Sequence, residues 1–236
     1  SGDVRISTGA AVQPGSVVLE SGASSRGMGG AIAIAGEAAS VTVNAGEGDV
    51  EGGHIRFAAG SGDVGGTLQM ASGTGSTSGA VSVVSASSVS SGSVSIASGD
   101  SSESSGAIRV ASGDSHGRSG SVVVRAGKSD IAGADASLSG GAAAASPGGY
   151  AAVEGGSGVA GGAVRLAGGM GEAAGGEASL TSGTGRVSGG VQVVSPDAEL
   201  TSGHVLIGTG SAADTAGDVR LRAGQAGQGG SVHLTA

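Results

Sequence analysis

A tandem period runs from one end of this chain to the other, and no other sequence feature constrains a fold more tightly. Aligning the strand-like stretches gives eighteen copies. Their first inward-facing residues are Val4, Val17, Ile32, Val41, Ile55, Leu68, Val81, Val94, Ile108, Val122, Ala136, Ala151, Val164, Ala178, Val191, Val205, Val219 and Val232. The intervals are mostly 13 or 14 residues, with two of 15 and one of 9 between Ile32 and Val41. One short strand cannot bury its own apolar side, so such copies are expected to stack.

Within a copy the residues alternate. Ile108, Val110 and Ser112 fall on one side of the chain, and Ala107, Arg109 and Ala111 on the other. Val219, Leu221 and Ala223 alternate in the same way with Asp218, Arg220 and Arg222. A period of two with β-branched residues predicts a half-buried strand. The third inward position is small in almost every copy, and a Gly usually follows it, as at Gly22, Gly46, Gly60, Gly73 and Gly113. A second Gly or Gly-Gly opens the next copy, so the pair reads as bracketing a spacer with backbone of positive φ. The expected fold is all-β: a parallel β-solenoid of eighteen 13–14-residue repeats, two strands per coil, forming one continuous array over residues 1–236. Nine such coils would extend for roughly 43 Å. A four-stranded coil and an antiparallel meander with six-residue loops are the alternatives.

A longer period lies over the first. The central outward residue is arginine in copies 1, 5, 9, 13 and 17, at Arg5, Arg56, Arg109, Arg165 and Arg220, and in no other copy. This four-repeat superperiod reflects either a duplicated unit of four copies or a coil of four strands. With two strands per coil the five arginines would line one face at about 9.6 Å intervals. That row is the candidate docking stripe, for a parallel filament or for an anionic glycan.

Composition narrows function mainly by exclusion. With 53 Gly, one Phe, one Tyr and no Trp, a conventional aromatic-filled core is not expected. Net charge is −8, and the 11 basic residues form no cluster, so nucleic acid is not an expected partner. The lack of cysteine excludes disulfides and thiolate chemistry, and no apolar run is long enough for a membrane span. The four histidines, His54, His116, His204 and His233, lie in different copies without ligand spacing. No GxSxG elbow occurs, and Gly155 to Gly162 matches a dinucleotide loop only as text, since no helix pattern follows. The 19 acidic residues are scattered rather than paired as glycosidic chemistry requires; ice binding is a lesser alternative for a flat solenoid, against which stands that the threonines do not line up in a regular array. No enzyme activity, no cofactor and no metal site are expected.

Two resemblances follow from these residues. "GEGDVEGG" (46–53) and "GSGDVGG" (60–66), with Asp49 and Asp63, resemble turns of the calcium-binding β-roll family. Turns such as "SGTGSTSG" and "AGQAGQGG" lack the carboxylates that family uses. The V-x-L strands between "SG…SG" turns resemble Ser/Gly-rich β-solenoid repeat proteins of secreted surface appendages, including algal flagellar hairs. That resemblance implies an extracellular structural rod, a fibre, stalk or appendage that stacks end to end, with a surface adhesin or glycan-binding rod as the alternative. The chain starts at Ser1, and the last copy stops at Ala236 without a polar cap, so continuation or end-to-end assembly is expected.

Overall fold

The computed structural model describes residues 2–11, 13–24, 29–37 and 39–235. Both chain ends, Ser1 and Ala236, lie outside the described residues. The chain divides into two units, Ser1–Val110 and Ala111–Ala236. The repeat pattern runs through that division, which falls between Val110 and Ala111 of the ninth copy.

Neither unit contains a strand or a helix among the described residues. The expected all-β parallel solenoid is therefore not formed, nor are its paired strands within each coil. None of the described residues is buried, so the inward columns make no core. The reason lies in what each copy can contribute. Two medium-sized apolar side chains and one small one remove little surface from water, and no aromatic enlarges the gain. Against this stands the ordering entropy of a chain with 53 glycines, the residue that loses most freedom on folding.

What the structure does build is a closed loop. In the unit Ser1–Val110 the N–H of Gly30 donates to the carbonyl of Gly22 at 3.0 Å, Gly53 to Gly46 at 2.8 Å, Gly66 to Gly60 at 2.9 Å and Gly79 to Gly73 at 3.3 Å. In the unit Ala111–Ala236 the same bond joins Gly149 to Gly141, Gly162 to Gly156 and Gly176 to Gly169, each at 2.8 Å. Gly189 to Gly183 at 3.1 Å and Gly230 to Gly224 at 3.3 Å complete the series. Each of these spacers leaves an extended segment, turns, and returns to its starting point, as an Ω-loop does.

These necks explain the uneven intervals. The loops step six, seven or eight residues from the first glycine to the second, and where a neck closes the spacer the repeat interval is the loop step plus seven. Thus Ile55 to Leu68 spans a six-step loop, Val41 to Ile55 a seven-step loop and Ala136 to Ala151 an eight-step loop. The extended part keeps a constant length while the loops vary.

The small third inward residue sits in the neck. Seven residues are half-buried among those described: Ala45, Ser72, Ser85, Ala126, Ser182, Ser195 and Ala223. Every one occupies that third inward position. A Cβ added at the returning glycine would meet this side chain, at 3.2 Å from the Ala45 Cβ for Gly53 and 3.4 Å from the Ala59 Cβ for Gly66. Close approach, rather than positive φ, is what these positions require. No described glycine has φ between +20° and +160°, contrary to the expectation from sequence.

Candidate functional site

The loops differ according to the residue two positions after the opening glycine. Loops 60–66, 73–79, 156–162 and 183–189 all begin Gly-[Ser/Thr]-Gly. Their second glycines, Gly62, Gly75, Gly158 and Gly185, face the carbonyl two residues further on, at 3.2, 3.2, 3.2 and 3.1 Å from a built Cβ. In the seven-step loops, Gly48 and Gly171 lie against the carbonyls of Glu51 and Ala174. A side chain in any of these places would crowd the backbone that the loop must bring inward.

Three spacers carry serine there instead, after Gly-Asp or Gly-Lys. Ser101 Oγ accepts the N–H of Glu103 at 3.2 Å, and Ser115 Oγ that of Gly117 at 3.1 Å. Ser129 Oγ accepts the N–H groups of Ile131 and Ala132, at 3.2 and 3.3 Å. These are hydroxyl-capped turns, in which the side chain replaces a backbone acceptor. The spacer at Pro196 shows a further variant. Proline holds the opening position, and the Ser195 hydroxyl donates across the neck to the Gly203 carbonyl at 2.8 Å.

The five arginines of the predicted stripe are all exposed. Arg5, Arg56 and Arg109 belong to the unit Ser1–Val110, and Arg165 and Arg220 to the unit Ala111–Ala236. The row of about 9.6 Å spacing depended on coils that do not form, so that spacing falls with them. Arg220 is engaged locally, its Nη2 donating to Asp218 Oδ2 at 2.7 Å. The two residues stand two apart on one side of an extended segment, as alternation requires.

Histidine chemistry is equally local. His54 Nε2 lies 3.3 Å from Glu51 Oε1, and His233 Nε2 lies 2.7 Å from Ser231 Oγ. A shallow recess at Asp114, Ser115 and His116 holds three residue types found in hydrolases. The serine oxygen there is an acceptor for its own loop's backbone, which is the role of a turn residue. No three His, Cys, Asp or Glu side chains gather into a metal-binding group among the described residues, and Asp49 and Asp63 lie in separate closed loops. Among those residues, no helix is long and apolar enough to cross a membrane. An apolar recess joins successive copies, with Val124 of one beside Ala136 and Leu138 of the next.

Comparison with protein-family models, curated proteins and solved structures gives no match to this chain.

Sequence reasoning identified the bracketing glycines but not the neck itself. The signal was present in part, as a second glycine two residues into loops such as 60–66 and 183–189 and a serine there in the turns at Ser101, Ser115 and Ser129, whereas the closed loops 141–149 and 224–230 carry Ala143 and Ala226. "GGSGVAGG" (155–162), which matched a dinucleotide loop as text, is one of the closed loops, with Gly162 bonded back to Gly156 at 2.8 Å.

Proposed function

We propose that the chain is a structural, non-enzymatic repeat segment of an extracellular fibre, stalk or surface appendage, assembling with further copies of itself. One observation carries this reading. In residues 46–79 and 141–189 closed loops recur at a seven-residue offset, and each copy between them holds out an extended, alternating segment whose apolar residues remain in solvent. Val164, at 46% exposure, and Leu166, at 84%, are representative of such a segment. A regular exposed apolar pattern marks a surface built for association. Serine, glycine and the absence of cysteine suit a chain that works outside a cell without disulfides.

Electron microscopy of the purified chain over a concentration series tests the reading. The expected result is concentration-dependent filaments or laterally ordered bundles. Single particles at every concentration would refute it.

The arginine column supports a second reading, a surface adhesin or glycan-binding rod. The same outward place holds arginine in every fourth copy, and charge-assisted contacts to sulfate or carboxylate groups favour arginine. Binding to immobilised sulfated glycan should be lost when Arg5, Arg56, Arg109, Arg165 and Arg220 are all changed to Gln. Unchanged binding by that variant would remove the stripe from the account.

A further inference from the structure

We propose that Glu154, Arg165 and Glu177 form a charge-matched docking face for a second copy of this chain, lying parallel to the first and displaced by one repeat. The inference rests on the self-assembling fibre reading and specifies its register. All three residues are exposed, lie in the unit Ala111–Ala236, and occupy outward positions in three consecutive copies, the twelfth, thirteenth and fourteenth. None of them makes an ion pair within the chain among the described residues.

Across residues 141–189, which include all three positions, the seven-residue offset between closed loops gives two parallel copies a common spacing of extended segments whatever the loop lengths. Register is then decided by charge. In exact alignment every charged residue meets its own twin, and Arg165 faces Arg165. Like charges placed directly opposite are destabilising. Displacement by one repeat places copy thirteen of one chain beside copy twelve or copy fourteen of its neighbour. Arg165 is then diagonal to Glu154 on one side and to Glu177 on the other, two positions away in each case. Diagonal neighbours on adjacent extended strands lie about 7–8 Å apart, within reach of long side chains. In the other unit Arg5 and Glu20 stand in the same relation. Arg109 and Arg125 are the one like-charged diagonal set against these three.

Sedimentation of the full chain at low ionic strength, comparing wild type, Arg165→Glu and the triple exchange Glu154→Arg/Arg165→Glu/Glu177→Arg, tests the proposal. All three positions are solvent-exposed, so the variants leave the monomer as it is. Arg165→Glu should shift the association midpoint to about tenfold higher concentration. The triple exchange, which restores opposite charges across the displaced pair, should return it close to wild type. Association that is unchanged or tightened by Arg165→Glu, or a triple variant no better than the single one, would overturn the displaced register. A wild-type chain that stays monomeric throughout would instead refute the fibre reading itself.

Discussion

Gly155 and Gly156 are neighbours in sequence with opposite tolerances. A methyl group at Gly155 would run into the carbonyl oxygen of Gly162, whereas at Gly156 it would meet nothing within 4 Å. Gly140 and Gly168 stand against the carbonyls of Gly149 and Gly176 in the same manner. Gly155→Ala should therefore open the 156–162 neck and release its hydrogen bond, a loss of about 1 kcal/mol. Gly156→Ala should leave the neck closed. The temperature dependence of the Gly162 amide shift reads the difference, and equal responses from the two variants would show that the bond does not depend on this close approach. The same contrast corrects a common inference about glycine. Here its value is the missing Cβ at a crossing of two backbones, since none of the described glycines uses left-handed φ.

At the scale of the element, loop closure separates two kinds of spacer. Arg186 lies inside the closed loop 183–189, while Arg118 and Lys128 lie in spacers shaped by a serine turn. Proteases need a locally open chain, so trypsin should cut after Arg118 and Lys128 before it cuts after Arg186. Mass spectrometry of an early digest gives the order, and early cleavage at Arg186 would count against a formed neck. The loops were also the most legible part of the sequence. The glycine pairs, the small residue before each pair and the step between copies were all visible, because close backbone approach restricts residue type locally. Strand pairing was not legible. The alternation of Ile108 with Arg109 and Val110 shows only that a segment is extended with two unlike sides. Whether a neighbour covers the apolar side depends on contacts distant in sequence. The arginine column was correctly read as a sequence pattern. Its expected spacing failed because it was inferred through a coil rather than from the residues themselves.

Across the whole chain the decisive quantity is burial. Val110 is 75% exposed and Val124 is 85% exposed, although both belong to columns expected to face inward. With both side chains in solvent, Val110→Asp should change the stability of the isolated chain by no more than about 0.5 kcal/mol. Its effect should appear on assembly, where the apolar segments meet a neighbour and an unpaired carboxylate becomes costly. With no buried residue among those described, no core couples the loops within either unit, so calorimetry of the dilute chain should show no cooperative unfolding peak.

Hydrogen exchange on the dilute, unassembled chain tests the central claim most directly, that closed loops form within the molecule while the segments between them form no strand among the described residues. The neck amides of Gly53, Gly66, Gly149, Gly162 and Gly176, each bonded at 2.8 or 2.9 Å, should exchange measurably more slowly than unstructured glycine. The amides of Val43, Val110, Val124 and Leu166 should exchange at the rate of an unfolded chain. Strong, uniform protection of those segment amides in the monomer would contradict the account, because it would require paired strands, of which the described residues form none.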